Sequence, residues 1–289
     1  MQPERNKRFH CQNDLIQCSG STQYPPFSKH ALHTHDRCEI FCSFRGNGFY
    51  ITEGSRHRLE PGRIFLMRPG EMHKIDLQDT EPRETIAFHF HPSIVDSFDP
   101  QRRLLSPFFD RPLGLNNVYD QNALSPTEVY PLFHQMFRQS DNKYDNCAHV
   151  TALLIAVLDQ LKLLFDAGLY NAPSEDTALI HAVLNYVNQN LTAEITPELL
   201  CEKFHFSRAQ LDRNFKNTTG STVSAYITAK RLLLAKGYID EGMRATEAAI
   251  ACGFRDYSTF YRVCCKHFGS APSDLAAGVA PEKVLLRRG

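Results

Sequence analysis

The stretch that decides the fold is Arg244–Val263, which reads RATEAAIACGFRDYSTFYRV. Ala249 is small enough to let two helices approach closely, and Gly253, four residues later, suits the positive φ of a tight turn between helices. Asp256 is a favourable N-cap for a following helix, and Gly269 stands where a glycine would end that helix. The stretch therefore predicts a helix-turn-helix unit.

The second helix of this unit is expected to turn Phe260 and Val263 toward the core, because they share one face at helical spacing. Its other face carries polar, aromatic and basic side chains that suit contact with a partner. They are Tyr257, Ser258, Tyr261, Arg262 and Lys266.

A second unit of this kind is predicted earlier in the chain. Ser207 and Gln210 match the capping box that opens a helix. Leu211 and Phe215, four residues apart, are expected to face inward. The same helix leaves four charged side chains for a partner: Arg208, Asp212, Arg213 and Lys216.

A helix predicted over residues 222–239 joins the two units and is roughly 27 Å long at about 1.5 Å per residue. A rigid connector of this length could place two recognition helices in successive major grooves, which lie about 34 Å apart on one face of B-DNA. Double-stranded DNA is therefore the expected partner.

Taken in order, these residues resemble the AraC/XylS family of bacterial transcription regulators. The resemblance covers roughly a hundred residues and rests on Ser207, Leu211, Arg213, Phe215, Lys216, Gly220, Tyr226, Arg231, Ala235, Ala249, Gly253, Phe254, Phe268, Gly269 and Pro272. The chain departs from the family pattern in two places. Cys264 stands where the family usually has an aromatic residue, and Leu275-Ala276-Ala277 replaces its usual Tyr-Arg.

The resemblance implies which residues contact bases. They are Ala209, Asp212 and Arg213 in the first recognition helix, then Ser258, Thr259, Tyr261 and Arg262 in the second, with Tyr257 beside them. Arg213 and Arg262 are expected to read guanine, the commonest specific major-groove contact. Contact with phosphate alone, or pairing with a neighbouring acid, is the alternative. Arg208, Lys216 and Lys266 are expected to hold phosphates, which position a protein without specifying sequence.

The overall composition permits this interpretation but does not add to it. The formal net charge is zero, from 32 basic and 32 acidic side chains, so no strong basic stripe points to nucleic acid. The nine cysteines include no Cys-x-x-Cys and are typical of reduced thiols. The polar N-terminus has no signal-peptide core, and no apolar run approaches the ~18 residues of a membrane span. The chain is expected to be soluble and cytoplasmic.

The first part of the chain, residues 1–125, has another pattern. Short β-branched or aromatic runs alternate with glycine and proline turns, as in Glu39–Phe44, Phe49–Thr52 and Arg63–Met67. Strands of this kind predict a small β-barrel or sandwich.

Two motifs among these strands resemble those of the cupin barrel: His33-x-His35-x3-Glu39-x6-Gly46 and Gly62-x6-Pro69-Gly70-x2-His73. Many regulators of the AraC/XylS family carry an N-terminal cupin-type sensor, so the two resemblances agree. They imply an effector site formed by His33, His35, Glu39, Phe41 and His73. Its mixture of apolar surface and a few fixed polar groups is typical of ligand sites. The predicted effector is a sugar, which the resemblance favours, or another small polar metabolite.

A metal ion is the alternative occupant of this site. The residues that match the ligands of metal-binding cupins are His33, His35, Glu39 and His73. Imidazole and carboxylate suit Fe, Mn, Ni or Zn. Cupin domains of these regulators often keep such residues while holding an organic effector, so the sequence favours a site without metal or other cofactor. His89 and His91 alternate on the last strand and either face the same cavity or lie on a solvated face.

Two helical patterns follow, over residues 127–139 and 147–167. In the second, a stripe at helical spacing comprises Leu154, Leu158, Leu161 and Phe165. Either this helix packs on its own barrel or it pairs with a second subunit, and a homodimer is favoured. The expected domains are the barrel (1–125), dimerisation helices with a linker (126–173), a DNA-binding domain (174–277) and a basic tail (278–289).

The predicted fold is α+β and multidomain, with an N-terminal cupin-like β-barrel, a helical dimerisation segment and a C-terminal all-α domain of two helix-turn-helix units. The predicted function is a ligand-responsive, sequence-specific transcription regulator, an activator that contacts RNA polymerase and has no catalytic residues. The alternative function is a metal-dependent cupin enzyme fused to a DNA-binding domain.

Overall fold

The computed structural model describes residues 5–25, 32–77, 81–136, 143–171, 178–275 and 283–285. Within these ranges the strands are β1 (Arg5–Gln12), β2 (Ile16–Gln23), β3 (His33–His35), β4 (Cys38–Arg45), β5 (Gly48–Thr52), β6 (Ser55–Arg58), β7 (Arg63–Met67), β8 (His73–Leu77), β9 (Arg83–Phe90), β10 (Val118–Tyr119) and β11 (Lys283–Leu285). The helices are α1 (Ser106–Phe109), α2 (Gln121–Leu124), α3 (Val129–Met136), α4 (Lys143–Asp166), α5 (Ala178–Gln189), α6 (Pro197–Phe204), α7 (Arg208–Thr219), α8 (Val223–Asp240), α9 (Ala245–Ala251), α10 (Tyr257–Phe268) and α11 (Pro272–Leu275). Strands dominate the first part and helices the last, which confirms the predicted α+β organisation.

The strands form two antiparallel sheets. The first has the order β1-β2-β9-β4-β7-β10 and the second the order β11-β3-β8-β5-β6. Among the described strands no hydrogen-bonded pair joins one sheet to the other, so the predicted barrel is two facing sheets rather than a closed barrel. Phe41 and Phe65 of the first sheet meet Tyr50 of the second in one apolar cluster, and this shared layer holds the sheets together.

Strand β4 is buried on both faces, and its residue Glu39 lies on the face between the sheets. Ile40 and Cys42 belong to a core shared with the helices, whereas Phe41 belongs to the cluster between the sheets. Because side chains alternate along a strand, Glu39 lies on the same face as Phe41.

Helix α4 carries the apolar stripe that the sequence predicts, but the stripe faces its own chain. Leu154, Leu158 and Leu161 are fully buried in one core with Ile40 and Phe88 of the first sheet. The prediction that this face pairs with a second subunit is therefore wrong, because the first sheet and the neighbouring helices already cover it. A dimer would have to use another surface.

Leu158→Ala is expected to lower the free energy of unfolding by about 2–5 kcal/mol, because the substitution leaves a cavity in a closed core. Urea unfolding at several protein concentrations measures this change. The exposed Leu163 on the same helix is the control, and Leu163→Ala should stay within about 0.5 kcal/mol of the parent. If Leu158 lay at a subunit interface, the urea midpoint of the wild-type chain would rise with protein concentration and that of Leu158→Ala would not. Such a result would contradict the observed packing within the chain.

Within α4, the segment Cys147–Asp166 is long and apolar enough to cross a membrane by length and composition alone. The sequence alone predicts no such segment. In the structure its apolar stripe is buried against the sheet, as in the core helix of a globular domain.

The last part of the chain forms the two predicted helix-turn-helix units, α6–α7 and α9–α10, joined by α8. Ser207 and Gln210 form the predicted capping box at the start of α7. Asp256 caps α10 by accepting from the backbone N–H of Thr259. Gly253 has φ +83°, and a Cβ there would lie 2.9 Å from the carbonyl oxygen of Thr192, so this turn requires glycine.

Two details of this half differ from expectation. Val263 is only half-buried, whereas Phe260 and Cys264 are fully buried. Cys264 therefore lies in the core, at the position where the family resemblance leads one to expect an aromatic residue. Residues 172–173, at the end of the predicted linker, lie outside the described residues, as does the predicted tail except for β11, which pairs with β3.

Candidate functional site

Three histidines from different strands surround one buried carboxylate between the two sheets. The Nε2 atoms of His35, His73 and His89 lie 2.9, 3.1 and 3.2 Å from Oε2 of Glu39. The side chains of His35, Glu39 and His73 are at most 6% exposed, and that of His89 is 13% exposed. We call these four residues the histidine cluster.

Strand register brings the cluster together. Glu39 of β4 is the direct partner of His89 on β9, and antiparallel partners present their side chains on the same face. His33 of β3 is the partner of His73 on β8, and His35 follows His33 by two residues on the same face. The cluster thus joins two neighbouring strands of each sheet.

The structure places the predicted effector residues in two groups. His35, Glu39 and His73 lie in the cluster, but the half-buried His33 lies beside it, with its ring centroid 4.3 Å from that of His73. Phe41 is buried deeper between the sheets, 5.1 Å from the ring of Tyr50.

The residue that sequence reasoning left undecided is His89, whose ring points at Glu39 between the sheets. His91 does not share this position, because β9 ends at Phe90 and the exposed His91 caps the following turn by accepting from the N–H of Ser93. Alternation on the last strand was the only signal for His89, and it did not distinguish the cavity from the solvated face.

Backbone carbonyls fix two of the imidazole rings. Nδ1 of His35 lies 2.9 Å from the carbonyl oxygen of Arg37, and Nδ1 of His73 lies 2.8 Å from that of Glu71. Burial lowers the pKa of His35 to about 4, so its ring is neutral near neutral pH. The side chain of Glu71 is itself paired with Arg111, and neither side chain is exposed. The surroundings of the cluster are therefore tightly held.

The cluster has the composition of a metal site. The ligand atoms of His35, Glu39 and His89 lie within 4.8 Å of one another, and His73 approaches the same carboxylate oxygen. Imidazole nitrogens and a carboxylate oxygen suit Zn, Ni, Fe or Mn. The cluster could alternatively hydrogen-bond the hydroxyl groups of a small organic molecule.

Next to the cluster, a buried contact joins the sheets to the helical half of the chain. Glu53 lies in the turn after β5 and is 2% exposed. Its carboxylate accepts from Nζ of Lys230 and from the hydroxyl of Tyr226, both on α8. The N–H of Met72 donates to Glu53 Oε1 at 2.8 Å, and Lys230 also donates to the carbonyl of Gly70 at 2.7 Å. We call this contact the Glu53–Lys230 latch.

The latch and the cluster share a short piece of backbone. Thr52, which precedes Glu53, is the strand partner of His73. Met72, which binds Glu53, directly precedes His73. The N–H of Gly70 donates to the carbonyl of His35 at 2.9 Å. A displacement of His35 or His73 would therefore reach the groups that hold Lys230.

Further contacts support this junction. Ser55 Oγ lies 3.0 Å from Nε2 of His181 on α5, and Lys236 of α8 donates to Asp36 at 3.0 Å. A Cβ on Gly54 would lie 2.4 Å from Cδ1 of Leu184, so the turn after β5 packs closely on α5. Sequence reasoning missed the junction, because no local pattern links residues that lie 177 positions apart, as Glu53 and Lys230 do.

The two recognition helices, α7 and α10, present the predicted residues on their outer faces. The exposed ones are Arg208, Ala209, Asp212, Arg213, Lys216, Tyr257, Ser258, Tyr261, Arg262 and Lys266, and Thr259 is half-buried. These side chains lie on the faces turned away from the core that Leu211, Phe215 and Phe260 form.

Two of these residues, Arg208 and Asp212, already form an ion pair with each other. Arg208 donates to Asp212 at 3.0 Å and to Glu198 at 2.5 Å. Asp212 is thereby engaged within its own helix, which makes it a weaker candidate for accepting from a base. Arg262 reaches Thr259 at 3.4 Å and stays on the exposed face.

Comparison with known proteins matches both halves of the chain. The AraC-like ligand binding domain family matches residues 16–161, and a helix-turn-helix domain family matches residues 200–278. The HTH-type transcriptional activator RhaR of Enterobacter sp. (strain 638) is 24% identical over 257 residues, covering 86% of this chain and 87% of RhaR. The activator RhaS of Citrobacter koseri is 25% identical over 256 residues, covering 88% and 90%. The crystal structure of ToxT from Vibrio cholerae O395 aligns with 92% of this chain and 100% of its own at a TM-score of 0.37 and 15% identity.

Proposed function

Because the chain belongs to the AraC family of DNA-binding transcription regulators, we propose that it is a cytoplasmic activator whose two helix-turn-helix units respond to a ligand bound between the sheets. The observation that carries this proposal is the position of the Glu53–Lys230 latch. It is buried, it joins the sheets to α8, and it is next to the histidine cluster.

The proposed effector site is the cluster, with His33 and Phe41 at its margin. Aromatic and apolar side chains fill the space beyond it, including Tyr50 and Phe65, whose rings stack at 4.5 Å. The polar groups therefore lie at one end of the layer between the sheets, an arrangement that suits a small polar compound. We propose a sugar or a similar polyhydroxylated metabolite, because the cluster can hydrogen-bond several hydroxyl groups.

The side chains on the outer faces of α7 and α10 have different proposed roles, according to their chemistry. Arg213 and Arg262 read guanine in the major groove. Lys216 and Lys266 hold phosphates, and Arg208 does so after releasing its acidic partners. The other predicted positions on the two helices contribute shape and contact area: Ala209, Asp212, Tyr257, Ser258, Thr259 and Tyr261.

Activation is proposed because RhaR and RhaS are named as transcriptional activators, and an activator would contact RNA polymerase. A homodimer is also proposed, since paired subunits read repeated half-sites. Its interface lies outside the α4 stripe, which is buried within the chain.

Selection of bound DNA from a random pool by the full chain, with and without a panel of sugars, tests this function. We expect one repeated motif to be enriched, with an enrichment that changes in the presence of one compound. A pool that remained random under every condition would contradict the proposal.

A metal-dependent enzyme fused to a DNA-binding domain is the second candidate, and the histidine cluster is the observation that favours it. Turnover of a sugar from the same panel by the metal-loaded chain would support this alternative. Unchanged sugar together with altered DNA binding would support the regulator.

A further inference from the structure

Strand β3, which carries His33 and His35, is paired mainly with the end of the chain. In the second sheet it lies between β8 and β11. Among the described residues, its register with β8 comprises a single pair, His33 with His73. With β11, by contrast, all three residues of β3 are paired. These pairs are His33 with Leu285, Thr34 with Val284 and His35 with Lys283. The main chain of β3 is therefore held more by the terminal strand than by β8.

Both flanks of β3 are also fixed to the helical half of the chain. Leu32, which precedes the strand, is 5% exposed and packs in the core that α5 to α11 form. Asp36, which follows the strand, accepts from Nζ of Lys236 on α8 at 3.0 Å. Residues 32–36 are thus anchored to the helical half on either side of β3.

The terminal strand is next to the second recognition helix. The chain reaches β11 from α11, whose Leu275 is 1% exposed in the helical core. The backbone of β11 passes within 8 Å, Cα to Cα, of α8 and of α10. The first recognition helix, α7, meets the second sheet elsewhere, at β5 and β6. One strand thus adjoins both the strand of the predicted effector residues and the helix that carries Arg262.

Strand register makes the pairing of β3 with β11 sensitive to the position of His35. Nε2 of His35 lies 2.9 Å from Oε2 of Glu39, on the face of β3 opposite to Thr34. Because side chains alternate along a strand, a slip of β3 by one residue against β11 would turn His35 away from Glu39. A ligand that displaces His35 therefore disturbs the pairing with β11.

The strength of this pairing suits a switch. Each backbone hydrogen bond shifts an opening equilibrium by only about 2–12-fold, and β11 has three residues. Addition of a strand to a sheet edge is a general mode of recognition that depends on main-chain hydrogen bonds. A strand this short holds its neighbours together but yields when ligand contacts oppose it.

We propose that β11 is a strap that ties β3 to the second recognition helix and passes a ligand-induced displacement of His35 to α10. The strap deepens the proposed function, on which its regulatory part rests. It gives α10 a connection to the effector residues that is separate from the Glu53–Lys230 latch on α8. The segment that the sequence predicts as a basic tail thereby has a regulatory role.

Prolines at two successive positions of β11, Val284→Pro with Leu285→Pro, test the strap. Alternate residues of an antiparallel strand point their N–H toward the neighbouring strand, so this double variant removes a donor to β3 whichever set is paired. Hydrogen exchange of the full chain, followed by mass spectrometry, reports on residues 32–36 and 257–268. We expect exchange in both segments to become about 2–12-fold faster for each hydrogen bond lost.

The matched control is alanine at the same two positions, which keeps both N–H groups and should leave exchange in both segments close to that of the wild-type chain. Circular dichroism checks that both variants keep their fold. Unchanged exchange of residues 32–36 in the proline variant would overturn the pairing as a tie. Faster exchange of residues 32–36 with no change in α10 would overturn the connection to the recognition helix.

The regulatory part is tested by the dissociation constant for the selected DNA site, with and without the sugar that alters the selection. The proline variant should lose most of the effect of this sugar, whereas the alanine variant should keep it. An equal effect of the sugar on the wild-type chain and on the proline variant would overturn the regulatory role. A wild-type chain that responds to no sugar would instead remove the proposed function, while the exchange measurement decides independently whether β11 ties β3 to α10.

Discussion

Lys230→Met is expected to lower the free energy of unfolding by about 3–5 kcal/mol, because removing one partner leaves the buried charge of the other uncompensated. Lys230 is 6% exposed and Glu53 2% exposed, so water cannot replace the lost ammonium group. Urea unfolding of the full chain, monitored by circular dichroism, measures the loss.

The double variant Glu53→Gln with Lys230→Met is the control. It removes both charges while keeping similar volumes. The amide oxygen of glutamine can still accept from the N–H of Met72, and its NH2 group can donate to the hydroxyl oxygen of Tyr226. Most of the lost stability should therefore return, since a buried ion pair is often replaceable by neutral groups at little cost. A double variant as unstable as Lys230→Met alone would show that the ammonium group matters through packing rather than through its charge.

Combined replacement of Arg213 and Arg262 by alanine is expected to weaken binding to the selected DNA site by about 2–6 kcal/mol. Each base-reading arginine contributes about 1–3 kcal/mol, and contacts in separate helices add. Each single variant should also relax base preference in its own half of the site. Binding measured by fluorescence anisotropy on the selected site and on single-base variants gives both quantities.

Lys216→Ala, on the same helix as Arg213, is the matched control for readout. It should weaken binding to all sequences alike and reduce the slope of log K against log salt by about one. Arginine variants that behaved like Lys216→Ala would contradict the separation of base-reading from phosphate-holding residues.

Sequence reasoning worked best where structure is local. The capping box of Ser207 and Gln210, the cap at Asp256 and the glycine at Gly253 were all predicted and observed. These features depend on backbone groups a few residues away, so a short window contains the whole interaction. The exposed faces of α7 and α10 followed from helical periodicity for the same reason.

The candidate effector site could be predicted only in part. The cupin motifs correctly brought together His35, Glu39 and His73, because the motif encodes that geometry. His89 joins them through the register of β9 against β4, which no single segment specifies. His33 lies outside the histidine cluster for the same reason, because strand pairing decides which histidines reach Glu39.

Two further results depended on contacts between distant segments. The stripe of α4 was compatible with a partner subunit or with the chain's own sheet, and periodicity alone could not choose between them. The Glu53–Lys230 latch is a pairing across the domain boundary. A buried lysine in an amphipathic helix resembles an exposed one in sequence, because both interrupt the apolar pattern in the same way.

The most direct test of the central claim is the dissociation constant of the full chain for its selected DNA site, measured with and without the sugar that alters the selection. In the wild-type chain we expect the sugar to change this constant by about 5–150-fold, the usual range of coupling between two sites. In the Glu53→Gln, Lys230→Met double variant the same sugar should still bind but should change DNA affinity much less. An unchanged ratio in the double variant would contradict the proposal that the Glu53–Lys230 latch connects the ligand site to the DNA-binding helices.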